Sequence, residues 1–187
     1  MQGTRNRTYS APSFAAFTRY PHVTNVISGT VTALRAEVSD PEGAAMVHTV
    51  LTIDVESQRK AGAPTTAYVR EGGGVVTVEQ VRATFEDKMR RKLTKKELDQ
   101  KIDYRYEGTE HARVGDHVLV VVTEDSSVRR PDAYSLLARL VDRRDGIPSG
   151  SGAPAKAASV AFTWAGEAPN AAWEKTVDAD SLASLMK

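Results

Sequence analysis

The most informative segment of the chain is His117-Val118-Leu119-Val120-Val121-Val122-Thr123. A strand that faces solvent on one side alternates apolar and polar residues, whereas an unbroken apolar run fits a strand covered on both faces. A turn over residues 114–116 leads into this run. We therefore predict a strand over residues 117–123 at the centre of the hydrophobic core.

Upstream of this segment, three further strands are predicted over residues 26–38, 47–55 and 65–70. The second strand alternates apolar residues with His48, Thr52 and Asp54, so His48 is expected to face outward, away from the core. Gly29 in the first strand indicates a bulge or a close approach of another backbone. Turn residues at 40–43 and 60–64 favour an antiparallel meander, and closure into a barrel would remove its open edges.

On the other side of the central run, residues 134–141 are predicted as a strand, although their leucines also satisfy helical spacing. Residues 145–159 are rich in Gly, Pro, Ser and Ala and are expected to form a flexible loop. A final strand over 160–164 and a short helix over 181–186 follow. Phe14, Phe17 and Tyr20 recur every three residues in the N-terminal arm and could dock one face of it onto the core, or bind a ligand.

The periodicity changes to a helical one over residues 78–102. Thr77 with Gln80, and Thr94 with Glu97, have the spacing of capping boxes at helix N-termini. Leu93 and Leu98 have the spacing of a hydrophobic staple around the second of these caps. We predict a helix-turn-helix insertion across this range.

Together these patterns predict a mainly β protein with a helical insertion (α+β), built on an OB-like antiparallel β-barrel of about six strands. Its parts are an N-terminal arm over residues 1–25, a barrel core over 26–144 with the insertion at about 78–102, a loop over 145–159, and a C-terminal strand and tail over 160–187 that packs back on the core. Trp164 and Trp173 are expected to anchor that tail, and a groove for a sugar or peptide is the alternative role.

Four segments carry a resemblance to a known group of proteins: Gly29-Thr30-Val31, then residues 49–55, then residues 69–74, and then residues 113–120. They resemble uncharacterised small β-barrel proteins of actinobacteria, over roughly residues 26–141. The resemblance implies an OB-like barrel and export from the cytoplasm, and it transfers no catalytic residue. Those proteins usually have a shorter connection where this chain has residues 78–102, so we expect the insertion to carry its particular function.

The bulk composition restricts the possible functions. Among 187 residues, 25 basic and 24 acidic side chains give a net charge of +1, so any electrostatic recognition must be local. Cysteine is absent, which excludes disulfides, thiol nucleophiles and thiolate metal sites. No apolar stretch is long enough to cross a bilayer, and the given N-terminus has no secretory signal. A signal removed beforehand would leave the same sequence, so the compartment is extracytoplasmic in that case and cytoplasmic otherwise.

The strongest local signal is a basic stretch in the insertion, formed by Lys88, Arg90, Arg91, Lys92, Lys95 and Lys96. Six phosphate contacts would give a strongly salt-dependent affinity for nucleic acid. Acidic residues flank the stretch, however, and intrahelical ion pairs would neutralise part of it and leave a solvated helical face. Tyr104 and Tyr106 adjoin the insertion and Tyr68 lies on a predicted strand, so all three are candidates for stacking on bases or sugars, or for packing.

No motif for catalysis, a metal or a cofactor is recognisable. His22, His48, His111 and His117 lack the spacing of a zinc site, and no nucleophile elbow occurs. An enzyme would require His111, His117 and a carboxylate to converge. We expect a non-enzymatic binding or interaction domain associated with the cell envelope, with a protein or small ligand as partner. A nucleic-acid-binding module that uses the basic insertion is the alternative.

Overall fold

The computed structural model describes residues 10–41, 45–105, 109–128, 130–142, 161–165 and 170–187. The predicted loop over residues 145–159 and parts of the predicted turn at 40–43 lie outside the described residues. In chain order the elements are α1 (Phe14–Thr18), β1 (Asn25–Ser39), β2 (Met46–Gln58), β3 (Thr66–Gly72), β4 (Gly74–Thr77), a 3-10 turn (Glu79–Val81), α2 (Arg82–Met89), α3 (Lys95–Leu98), β5 (Lys101–Tyr104), β6 (His117–Glu124), β7 (Ala133–Asp142), β8 (Phe162–Trp164), β9 (Thr176–Val177) and α4 (Ala179–Leu185).

Five of these strands close into a barrel in the order β3-β2-β1-β6-β7, and β7 returns to pair with β3. The closing pair is parallel, with Val69 opposite Tyr134, whereas the other neighbours in the barrel are antiparallel. The end of β7 also pairs with β8, and β8 pairs with β9, so the two short strands extend the sheet beyond the barrel. The prediction of a mainly β barrel with a helical insertion is confirmed.

Strand β6 is buried on both faces, as its unbroken apolar run predicts. Val118, Val120 and Val122 point into the barrel and pack with side chains such as Leu51 and Ile53. The alternate residues of the strand, Leu119 and Val121, point to the outside of the barrel and belong to a second core. All five side chains from Val118 to Val122 are 0% exposed.

The second core is an aromatic layer that covers the outer face of β1, β6 and β7. We define the outer aromatic layer as five rings from the arm and the tail: Phe14, Phe17, Phe162, Trp164 and Trp173. The rings of Phe17 and Trp173 have centroids 4.9 Å apart, and Phe14 meets Trp164 edge-on at 5.1 Å. The indole N–H of Trp173 donates to the carbonyl of Ala11 at 2.8 Å, so the arm and tail hold each other in place.

The insertion between β3 and β6 differs in part from the predicted helix pair. Two helices are present, but α3 has only four residues, and a two-stranded sheet of β4 and β5 frames them. Residues 101–102, which we predicted as helical, lie in β5. Val76 and Ile102, opposite one another in this small sheet, pack on Val47 of β2 with Val81 and Phe85, which explains why the ends of the insertion pair as strands. The capping box of Thr94 and Glu97 is confirmed.

Gly29 lies both at a bulge and at a close approach of another backbone, the two alternatives that its position in the strand predicts. The β1–β2 register shifts between Ser28 and Gly29, which is a bulge. A Cβ atom at Gly29 would also collide with the backbone carbonyl of Asp54 and approach the Cγ2 atom of Ile53 to 2.9 Å. The close approach of β1 and β2 therefore requires glycine here.

We expect Gly29→Ala to lower the free energy of unfolding by about 1–3 kcal/mol, because the added methyl group must push apart two paired backbones. Gly62→Ala is the matched control, since a Cβ atom there meets nothing within 4 Å and only the φ angle of +71° is unfavourable. Urea titrations followed by tryptophan fluorescence measure both. A loss for Gly29→Ala no larger than that for Gly62→Ala would contradict the close approach.

Candidate functional site

The basic stretch of the insertion is partly neutralised by neighbouring carboxylates. Arg91 pairs with Glu97 at 2.5 Å, and Lys92 pairs with Glu86 at 2.8 Å. Glu86 also accepts from Arg82 at 2.9 Å and from the backbone N–H of Leu93 at 3.1 Å. These contacts join α2, α3 and the connection between them. Two of the six predicted cations, Arg91 and Lys92, are therefore paired with carboxylates.

Three other predicted cations have no carboxylate within 4.0 Å among the residues that the structure describes: Arg90, Lys95 and Lys96. Arg90 is the C-cap residue of α2 and has a left-handed conformation with φ of 52°. Lys88, the sixth cation, is in the last turn of α2. The insertion thus presents a reduced basic patch, which we define as Arg90, Lys95 and Lys96.

The two tyrosines predicted beside the insertion have different outcomes. Tyr104 is half-buried and packs against the small core of Val47, Val76 and Val81, and this burial raises the pKa of its hydroxyl. Its ring is therefore part of the attachment of the insertion to the barrel. Tyr106 lies outside the described residues.

A more concentrated polar surface lies on the outside of β3, where the β6–β7 loop folds against the barrel. Arg70 donates from one guanidinium nitrogen to Asp125 at 2.8 Å and to Ser127 at 2.8 Å, and it reaches Glu37 on β1 at 3.4 Å. Its Nε atom is buried and has no hydrogen-bond partner. Arg70 thus links three segments of the chain across β2.

The aromatic member of this surface is Tyr68, which lies two residues before Arg70 on the same face of β3. The guanidinium of Arg130 lies 4.4 Å from the ring centroid, in cation–π geometry, while Asp132 holds that guanidinium through two hydrogen bonds of 3.0 and 2.8 Å. The side chain of Arg130 is 54% exposed, so it is accessible from solvent. We define the β3 face as Glu37, His48, Tyr68, Arg70, Asp125 and Arg130.

His48 lies on this outer face opposite Gly72 and Glu37 of the neighbouring strands, as predicted, but it is half-buried there. Burial is the main cause that lowers the pKa of its imidazole, and the positive charge of Arg70 lowers it further. An uncharged imidazole at neutral pH offers one hydrogen-bond donor and one acceptor. Sequence periodicity indicated the direction of His48, whereas its place beside Arg70 depends on strand register.

His111 and His117 contact different carboxylates. His111 meets Asp103 at 2.5 Å beside the insertion. His117 lies between Glu56, at 2.9 Å from Nε2, and Asp142, at 3.4 Å from Nδ1. Within the described residues the two histidines share no carboxylate, and no group of three or more His, Asp or Glu side chains is arranged so that it could hold a metal ion.

Ser28, His117 and Asp142 follow one another in the chemical order of a hydrolase triad, with Ser28 Oγ 3.5 Å from Nε2. Two features oppose that chemistry. Glu56 is nearer to the same Nε2 atom, at 2.9 Å, and Ser28 is only 3% exposed within β1. An external carbonyl cannot reach its hydroxyl, so this group acts as a polar network at the edge of the outer aromatic layer.

Comparisons with protein-family models, with curated proteins and with solved structures found no match. In the described part of the chain, no helix combines the length and the apolar character needed to cross a membrane.

We expect the carboxyl groups of Glu86 and Glu97 to titrate with a pKa of about 2 each. The largest cause is the side-chain hydrogen bond from Lys92 to Glu86 and from Arg91 to Glu97. Because folding lowers both pKa values, their contribution to stability is complete above about pH 4.5 and is lost as the pH falls towards 2. Carboxyl ¹³C NMR titration measures both.

Two substitutions are controls for each other. Arg91→Gln should raise the pKa of Glu97 alone, and Lys92→Gln should raise that of Glu86 alone. If neither substitution moved its partner's pKa, the ion pairs of the insertion would not exist in solution.

Proposed function

We propose that this protein is a non-enzymatic binding domain of OB-like architecture, whose ligand, a protein or a small molecule, contacts the β3 face. The observation that carries the proposal is the stack of Arg130 on Tyr68, with Arg70 and His48 beside it. A ring of the ligand would lie on the open side of the Arg130 guanidinium, because planar guanidinium groups stack on π systems.

The connectivity of the barrel supports an OB-like classification. A meander of β1, β2 and β3 is followed by the insertion, and β6 and β7 complete a five-stranded closed barrel. OB folds bind oligonucleotides and oligosaccharides on the face of their second and third strands and on the adjoining loops. The β3 face occupies the corresponding place, with the loop between the last two barrel strands folded beside it.

The charges of this surface favour a ligand that is neutral or of mixed charge. Three arginines, Arg35, Arg70 and Arg130, lie in ion pairs with three carboxylates, Glu37, Asp125 and Asp132. Such a surface has no net charge to attract a polyanion from a distance. Recognition would depend on stacking and directed hydrogen bonds, and its affinity would change little with salt.

The test is a screen of the purified protein against arrays of soluble peptides and oligosaccharides, with affinities of the hits measured at 50 and 200 mM salt. Arg130→Gln should weaken each specific hit about tenfold, because a charge-assisted contact is removed. Arg113→Gln, another exposed loop arginine, is the matched control. The proposal would be contradicted if the hits kept their affinity in Arg130→Gln, or if neither the peptide array nor the oligosaccharide array gave a hit.

The reduced basic patch favours nucleic acid as a second candidate, but with fewer phosphate contacts than the sequence suggested. Three contacts on a duplex predict a slope of log affinity against log salt of about −2.7, against about −5.4 for six. Between 50 and 200 mM salt the affinity for a labelled duplex should then fall about 40-fold.

Fluorescence anisotropy with labelled duplex and single-stranded oligonucleotides measures this slope. The triple variant Arg90→Gln, Lys95→Gln and Lys96→Gln should abolish binding. A triple variant of equal charge change elsewhere, Arg35→Gln, Arg113→Gln and Lys175→Gln, should retain it. Equal losses in the two variants would show that only net charge matters, and the patch would lose its role.

A further inference from the structure

A cavity of about 320 Å³ lies where the end of α1, the end of β2 and the last turn of α4 meet. It is lined by Thr18, Arg19, Arg59, Ser184, Leu185 and Lys187. Three of these six residues are cationic and none is acidic, in a chain whose basic and acidic residues are nearly equal in number. The described lining therefore concentrates positive charge, and its apolar member is Leu185.

Arg59 is held rigidly at the edge of this cavity. One terminal nitrogen donates to the carbonyl of Thr18 at 2.6 Å, and the other donates to the carbonyl of Val23 at 3.1 Å. Both acceptors are neutral, and a guanidinium has five N–H donors, so three remain for another partner. The arrangement orients the guanidinium without neutralising it.

Within the described residues, the cavity cations have no ion-pair partner, whereas several arginines elsewhere in the protein do. Arg70, Arg91 and Arg139 each contact a carboxylate. Among the described residues, no carboxylate lies within 4.0 Å of the cationic nitrogens of Arg19, Arg59 or Lys187. Burial is the main cause that lowers the pKa of Arg59, and the positive charge of Arg19 lowers it further.

We infer that this cavity is a binding site for a small oxyanion, either inorganic phosphate or the phosphate group of a small phosphomonoester. Arginine forks match the geometry of phosphate oxygens, and Lys187 adds a third positive charge. The hydroxyl of Ser184 can donate to the anion, whereas that of Thr18 already donates to Ala15 at 2.9 Å. The volume is at the lower end of small-molecule pockets, enough for phosphate and a short organic group against Leu185.

This site is separate from the β3 face and from the reduced basic patch, so it stands or fails independently of the proposed function. The position of the cavity means that a bound anion would also act on the packing of the arm and the tail. Arg19 belongs to the arm, Arg59 to the barrel and Lys187 to the tail, so a bound anion would bridge the three segments that enclose the outer aromatic layer.

The test is a titration of the full chain with sodium phosphate at pH 7 and constant ionic strength, followed by amide NMR shifts. Parallel arms use glycerol 3-phosphate and sodium acetate. We expect saturable binding of one phosphate, with shifts confined to the cavity residues, and weaker binding of acetate. Tighter binding of glycerol 3-phosphate would identify a phosphomonoester site, and equal or weaker binding would identify a site for inorganic phosphate.

Arg19→Gln is the main variant, because its side chain is exposed and forms no hydrogen bond or ion pair with the described residues. It should weaken phosphate binding about tenfold. Arg59→Lys keeps the charge but removes the fork, and it should also weaken binding. Arg113→Gln, which removes an exposed cation that does not line the cavity, should change nothing. Non-saturable shifts, or equal affinity in wild type, Arg19→Gln and Arg59→Lys, would overturn the inference.

Discussion

The burial of β6 on both faces is the constraint on which the rest of the structure depends. Its five central side chains belong alternately to the barrel interior and to the outer aromatic layer. Burying five such side chains contributes on the order of 10 kcal/mol before entropy is subtracted, which is comparable to the whole stability of a typical domain. A barrel alone would leave Leu119 and Val121 in water. The arm and the tail are therefore structural requirements of the same strand that organises the barrel.

A buried ion pair lies close to the line along which the barrel closes. Arg139 on β7 donates twice to one oxygen of Glu71 on β3, at 3.2 and 3.0 Å, and also to the backbone carbonyl of Glu110. Burial raises the pKa of Glu71, and the charge of Arg139 opposes that rise. Buried pairs of this kind contribute little net stability, but an unpaired member is costly. The pair therefore disfavours any register of β3 against β7 that would separate the two side chains.

Much of the fold could be predicted from local patterns, because those patterns report local physics. The unbroken run at 118–122, the alternation over 47–55 and the capping box at Thr94 each depend on neighbours within one element. The strands β4 and β5 were missed because each has four residues and their pairing joins positions 24 to 30 residues apart. The helical spacing of residues 78–102 also led to a helical prediction for residues 101–102, which belong to β5.

The candidate surfaces were less predictable for the same reason. The basic stretch was visible in the sequence, and so were its acidic neighbours, but which cations are paired depends on the fold of the α2–α3 connection. The approach of Arg130 to Tyr68 and the convergence of Arg19, Arg59 and Lys187 join residues that are distant in sequence. A single sequence holds no signal for such contacts.

The pairing of β4 with β5 has a consequence for how the chain can fold. Gly74 lies opposite Tyr104, so both ends of the insertion meet before the chain continues to β6. The entropy lost on closing a loop grows with the logarithm of its length. If the insertion forms early from its own local contacts, the segment that must be closed to bring β3 and β6 into one barrel becomes much shorter than the sequence between them. The extra residues would then slow assembly of the barrel far less than their number implies.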